Sequence, residues 1–356
     1  MLVGGRGTRL RPLTISAPKP MLPVAGVPVT EHQVARAREA GVTRIVLGTS
    51  YQAEVFSDYF GSGEDFGVEL KYVVEDVPLG TGGAIRNVAD ALESGPDDPV
   101  VIFNGDVLTG LDIAGIVQAW RAADADVVLY LTRVEDPRAF GLVPTDADGN
   151  VTAFLEKPET PEEVVTDQIN AGCYVFRRSL IDEIPADRPV SVERETFPGL
   201  LARGAKVIGY VDDGYWLDLG TPLAFVQGSA DLVRGIAPSP AIPGATGEAL
   251  LLADADVAVD ATVTGGSVIG KRTAVGARAR VDSSVVFDDA VISDDAQVQS
   301  SVIGRGAFVG SGSVLRGVVV GDGARVGAGN ELLDGARVFP GEVIAPGSIR
   351  FSSDLS

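Results

Sequence analysis

Four cations and three glycines crowd the first twenty residues, and no acid appears before Glu31. The segment runs Met1-Leu2-Val3-Gly4-Gly5-Arg6-Gly7-Thr8-Arg9-Leu10-Arg11-Pro12, and Pro18-Lys19-Pro20-Met21 follows. The whole chain carries a formal charge of −20, so a purely cationic, glycine-rich loop stands out against it. Glycine lets backbone approach a ligand closely, and successive N–H groups can form a nest for an anion. Arg6, Arg9, Arg11 and Lys19 would then neutralise the charge of a polyphosphate. The spacing fits neither G-x-x-x-x-G-K-[ST] nor G-x-G-x-x-G, so the loop is not one of the common phosphate cradles.

Two acids, far apart in the sequence, are candidates for the same chemistry. Asp106 ends Asn104-Gly105-Asp106, directly after the apolar run Val100–Phe103, and Asp218 lies in Tyr215-Trp216-Leu217-Asp218-Leu219-Gly220-Thr221-Pro222. Taken singly, each aspartate is an ordinary turn former. The one histidine, His32, falls in a helical stretch after Pro28, where a surface position is expected, and the one cysteine, Cys173, falls in the apolar run CYVF, where a buried thiol is expected. With one of each, histidine-based nucleophilic catalysis and histidine-rich metal sites are excluded, which leaves carboxylates, cations and metal.

These residues need a frame. Residues 1 to about 230 alternate apolar strands (Arg44–Gly48, Leu70–Val74, Val100–Phe103, Val127–Thr132, Cys173–Phe176) with helical patterns (Glu31–Ala40, Gly83–Leu92, Ile113–Ala122). That alternation predicts an α/β domain on a Rossmann-like mixed or parallel sheet, with ligands beyond the carboxyl ends of its strands. Met1–Val3 is short for a first strand, and we expect residues to be missing ahead of it. Residues 231–256, interrupted by Pro238, Pro240 and Pro243, read as a linker. From 257 to 350, apolar residues recur six, six and five apart, so that Ile269, Val286, Ile303 and Val320 are spaced by 17. Glycines follow several of them (Gly270, Gly276, Gly304, Gly310, Gly321, Gly327), and three short strands per coil describe a β-helix of hexapeptide repeats.

The loop GGRGTRLRPLTISAPKPM resembles the signature of the sugar-phosphate nucleotidyltransferases, which join a nucleoside triphosphate to a sugar 1-phosphate and release pyrophosphate. The resemblance covers nearly the whole chain, and the repeats are similar to the left-handed parallel β-helix of longer members. It implies nucleotide contacts from Gly4, Gly5, Gly7 and Thr8, catalytic roles for Arg9 and Lys19, and Mg²⁺ held by Asp106 and Asp218. In the segment Glu75 to Gly83 it places Gly80-Thr81 along the base, with Glu75 at the base edge. A carboxylate only accepts hydrogen bonds, which suits the adjacent N1–H and 2-amino group of guanine and argues for GTP. For the sugar phosphate it implies Gly141, Glu156, Lys157 and Asn170. With Ser191-Val192-Glu193-Arg194-Glu195, the chain most resembles members that use mannose 1-phosphate and form GDP-mannose.

Uridylyl, thymidylyl or adenylyl transfer to glucose 1-phosphate shares almost every motif, and a non-catalytic regulatory subunit shares the fold. Acyl transfer on the β-helix is excluded, because that chemistry normally uses a histidine there. The acidic balance argues against nucleic acid as a partner. No apolar run approaches 18 residues, so no membrane span is expected. The single cysteine fits a reducing, cytoplasmic setting. An exposed solenoid end must be capped or paired, and the Val338–Phe351 tail could do either, so a homo-oligomer is expected.

Overall fold

The structure, a computed structural model, describes residues 1–158, 160–186, 188–242 and 247–350. Pro243 and Gly244 of the expected linker, and Phe351 of the expected tail, lie outside the described residues. The chain divides into two compact units, Met1–Gly5 with Arg36–Trp216, and Arg6–Ala35 with the residues from Leu217 onward.

The first unit is built on a mixed sheet. Arg44–Thr49 pairs in parallel with Glu69–Val74, and Val127–Arg133 in parallel with Val207–Val211. Met1–Val3 is inserted between the halves: Leu2 bridges both Gly48 and Asn104, and its N–H donates to the Phe103 carbonyl at 2.8 Å. The strand read as Cys173–Phe176 is longer, Gln168–Arg177, and runs antiparallel to both Pro99–Phe103 and Val127–Arg133. Apolar content had revealed that strand but not its direction, because buried strands of either direction are apolar on both faces. Its register slips between Asn170 and Tyr174, where Gly172 takes φ +78° and a Cβ would lie 3.0 Å from the Asn104 amide. The core behind it is aromatic, with the rings of Tyr174 and Phe197 5.1 Å apart, edge to face. Cys173 is buried there, and burial pushes its thiol well above the usual range.

In the second unit the repeat forms a parallel β-solenoid of about five turns, consistent with a left-handed β-helix. Its three sheets stack at intervals of 17 or 18 residues, as in Val286↔Ile303 and Val320↔Val338. One apolar side chain per strand points inward, and Ile269, Val286, Ile303, Val320 and Val338 form one such column. The corner glycines are required by proximity: a Cβ on Gly310 would lie 2.4 Å from the Ala328 nitrogen of the next coil. Ser267, Ser284 and Ser301 form a buried ladder in which each hydroxyl accepts the N–H of the residue one coil on. Within the expected linker, a helix runs to Arg234 and the strand Ala249–Leu251 already pairs with Ser267–Ile269 of the solenoid.

His32 is not a surface residue. It is 3% exposed, its Nδ1 is 2.6 Å from the Ser239 hydroxyl and its Nε2 is 2.9 Å from the Val24 carbonyl. The helix Val29–Glu39 turns this position toward the hairpin Pro23–Pro28, and the two ring nitrogens satisfy polar groups that would otherwise be buried unpaired.

Candidate active site

Three of the expected catalytic residues come together in the second unit. Lys19 Nζ lies 3.3 Å from Asp218 Oδ1, and Arg9 Nη2 lies 3.7 Å from Asp218 Oδ2. Local sequence explains the arrangement. Leu219 is fully buried, and Gly220 follows where a Cβ would fall 2.5 Å from Arg9 Nη2. Thr221 then caps the helix Pro222–Arg234, its hydroxyl accepting from the Ala224 N–H at 3.2 Å, with proline at the first helical position. Asp218 thus ends the short strand Trp216–Asp218, with the capped helix starting four residues on.

The signature loop is exposed from Gly4 to Arg9 apart from half-buried Gly7. Gly5 and Gly7 have φ of +108° and +53°, the left-handed region that turns successive N–H groups to one side. A Cβ on Gly7 would fall 2.9 Å from both Lys19 Cβ and Thr14 Cγ2, and the Gly7 carbonyl accepts the Thr14 hydroxyl at 2.9 Å. The one-turn helix Thr8–Leu10 then presents Arg9, while Lys19 is almost fully buried. An exposed guanidinium and a buried ammonium thus face one carboxylate.

Asp106 lies in the first unit, half-buried, at the carboxyl end of Pro99–Phe103 as expected. Gly105 before it is fixed by its N–H bond to the Leu2 carbonyl, 2.8 Å.

The expected base segment is also in the first unit. Glu75 follows Glu69–Val74, and its Oε2 accepts the Leu79 N–H at 3.3 Å. Burial raises its pKa, opposed by that hydrogen bond. Gly80 and Gly82 are needed for a reason the sequence did not reveal. A Cβ on Gly80 would fall 2.6 Å from the Val190 carbonyl oxygen, and that carbonyl accepts the Gly82 N–H at 2.8 Å. Thr81 is drawn into the same contact. Its hydroxyl donates to Glu193 Oε2 at 2.7 Å and accepts the Val192 N–H at 2.9 Å, while the Ser191 hydroxyl also donates to Glu193 at 2.7 Å. Glu193 therefore anchors the base segment, a role hidden in the sequence because 112 residues separate it from Thr81.

The expected sugar-phosphate residues form two groups in the first unit. Gly141 stands opposite Glu156 across a two-residue antiparallel pair, and a Cβ on it would be 2.8 Å from Glu156 Oε2. Lys157 follows with φ +51° and places its Nζ 3.7 Å from Glu156 Oε1. Phe140 packs edge-on against Trp216 at 5.4 Å. Asn170 sits at the strand irregularity, its amide donating to the Tyr174 hydroxyl at 2.9 Å and its oxygen accepting the Gly172 N–H at 3.1 Å. That amide is engaged in bracing the backbone, which the sequence did not indicate.

Comparison with known proteins gives the family. Residues 1–235 match the family model described as nucleotidyl transferase, and residues 245–348 match that of the GMPPB C-terminal domain. The chain is 57% identical over 267 residues to a mannose-1-phosphate guanylyltransferase of Mycobacterium tuberculosis, covering 75% of this chain and 73% of that protein. It is 37% identical over 229 residues to the mannose-1-phosphate guanylyltransferase catalytic subunit beta of Drosophila pseudoobscura, spanning 64% of this chain but only 60% of that relative. Among solved structures, HddC from Yersinia pseudotuberculosis superposes with a TM-score of 0.55 at 28% identity, covering 64% of this chain and 96% of that one, and has also been solved with GMP-PN.

Proposed function

The chain belongs to the nucleotidyl transferase family, and from that premise we propose that it is a mannose-1-phosphate guanylyltransferase. It would join GTP and mannose 1-phosphate into GDP-mannose and release pyrophosphate. The observation that carries the reading is the Arg9–Asp218–Lys19 cluster, two cations facing one carboxylate, on a signature loop whose Gly7 takes positive φ.

The nucleophile, a phosphate oxygen of the sugar 1-phosphate, is already an anion, so positioning and charge neutralisation suffice. The lone histidine is committed to Ser239 and Val24, in keeping with a reaction that needs no general base. Gly4, Gly5, Gly7 and Thr8 bind the triphosphate through backbone N–H groups and the hydroxyl. Arg9 and Lys19 stabilise charge on the departing pyrophosphate, each worth about 3 kcal/mol by the magnitude of an oxyanion-hole donor. Lys157 orients the attacking phosphate, Glu156 and Asn170 the sugar, and Gly141 lets the sugar approach the backbone. Glu75 accepts from the guanine edge, with Gly80-Thr81 beneath the ring.

Members of this family typically use a divalent metal, and we assign Mg²⁺. Among the described residues, no group of three or more His, Cys, Asp or Glu side chains is arranged to enclose an ion. We assign its protein ligands as Asp106 and Asp218, carboxylates of the kind suited to an ion that keeps waters and takes phosphate oxygens rather than an all-protein cage. When bound, the ion neutralises the α-phosphate at the point of attack. We assign residues 1–230 to the transferase, with the helix that runs on to Arg234, and 257–350 to the solenoid, with the coil that already begins at Ala249, so that the connector is the shorter stretch between them. Exposed Phe339 and Val343 near the carboxyl end of the solenoid support association of copies. No described helix is long and apolar enough to cross a membrane, and a cytoplasmic setting is the one we propose.

The protein with GTP and mannose 1-phosphate should form no GDP-mannose in excess chelator and regain activity on addition of Mg²⁺. Undiminished product in chelator would refute the assignment of Asp106 and Asp218.

A further inference from the structure

One sheet of the solenoid carries a column of outward-facing residues that stack coil upon coil: Leu250, Val268, Val285, Val302, Val319 and Arg337. Outward positions on a solenoid are ordinarily solvated, yet Val268, Val285, Val302 and Val319 are each 2% exposed or less. The helix Pro222–Arg234 packs on the first coils, where Phe225 meets Phe287 edge-on at 6.4 Å. At the last coil the valines stop and an arginine takes the column's place, after an interval of 18 residues rather than 17.

Arg337 reaches the signature loop. Its Nη1 donates to the Arg9 carbonyl at 2.8 Å and also to the Arg11 carbonyl. Those carbonyls lie in the middle of the single turn Thr8–Leu10 and just after it, a turn otherwise closed by two backbone hydrogen bonds, Leu10 N–H to Gly7 and Arg11 N–H to Thr8. Arg9 is thus gripped twice, at its carbonyl by Arg337 and at its guanidinium by Asp218. A turn this short, exposed and glycine-flanked does not hold itself, because its few hydrogen bonds do not offset the conformational entropy of two glycines.

We propose that Arg337 is a positioning residue for the triphosphate: the last coil of the solenoid clamps the loop so that its N–H groups and Arg9 are set before the nucleotide arrives. The inference rests on the proposed transferase reaction and adds to it a function for the solenoid that its packing role does not require. A planar guanidinium suits two adjacent carbonyls, and ordering the loop in advance removes an entropic cost from nucleotide binding.

The test compares Arg337→Ala and Arg337→Lys with the full, unaltered chain. Steady-state kinetics are measured with Mg²⁺, GTP and mannose 1-phosphate, and amide hydrogen exchange of residues 5–12 is measured without ligands. The alanine variant should raise the KM for GTP roughly tenfold, leave the KM for mannose 1-phosphate and the melting temperature in place, and speed exchange in the loop. Lysine should restore part of the loss. Unchanged loop exchange and unchanged GTP KM would overturn the proposal. So would a rise of both KM values together with a lower melting temperature, the pattern of a merely structural residue. If the alanine variant does not fold, Arg337→Gln carries the same readouts. If the unaltered protein turns over no nucleotide, the proposed reaction fails, and the exchange comparison still decides the clamp.

Discussion

Lys19 and Arg9 do different work although both face Asp218. Lys19 is almost buried, so its charge acts at short range with little screening, and Asp218 compensates its desolvation. Arg9 is 66% exposed, so water screens its charge and its longer contact with Asp218 is the weaker of the two. Glu75 presents a different balance. Burial raises its pKa, so acid reaches it earlier than it would a solvated glutamate. The sign follows. Burying the charged form costs stability above that pKa, and protonation relieves it as pH falls, whereas an acceptor for guanine is lost over the same range. The KM for GTP should therefore climb as pH is lowered into the acidic range, at a higher pH than a solvated glutamate would require, and this climb should be absent from Glu75→Gln, whose amide does not titrate. Parallel pH profiles for the two proteins would remove Glu75 from the base edge. At this scale the sequence was legible in that three residues it singled out, Arg9, Lys19 and Asp218, lie together. Glu193, Arg337 and the bracing role of Asn170 were not legible, because each acts on a residue or strand irregularity set by tertiary packing.

At the level of elements, the solenoid was the most readable part, since one inward apolar residue per strand imposes a period that survives variation at every other position. Its glycines carry a quantitative expectation. In Gly310→Ala the added methyl would meet backbone of the next coil at 2.4 Å, and neither side can rotate away. We expect a loss of about 2–4 kcal/mol in unfolding free energy by denaturant titration. Gly312, which has open space around a Cβ at φ +65°, should lose only about 1 kcal/mol on the same change, from backbone strain alone. Equal losses would show that coil spacing yields to the methyl. The α/β unit was less readable. Four of its strands were found to within a residue, but Gln168–Arg177 was read five residues short at its start, Val207–Val211 was not read, and the antiparallel course of Gln168–Arg177 was missed, because direction is set by which neighbours a strand meets and leaves no mark on its composition. His32 illustrates the same limit, a polar residue drawn inside by two partners supplied from other segments.

On the scale of the whole molecule, a chain of net charge −20 must gather two polyanionic substrates. The global field opposes them, and a small number of placed cations must overcome it locally, which explains why the amino-terminal loop has no acid. The family is shared by enzymes for several bases and sugars, so fold and signature alone leave the substrates open. The base and sugar segments decide, and they are few residues in a large frame. The most direct measurement is pyrophosphate release with Mg²⁺ from GTP, UTP, dTTP and ATP, each paired with mannose 1-phosphate and with glucose 1-phosphate. The account predicts turnover dominated by GTP with mannose 1-phosphate. Preference for another nucleotide or for glucose 1-phosphate would contradict it.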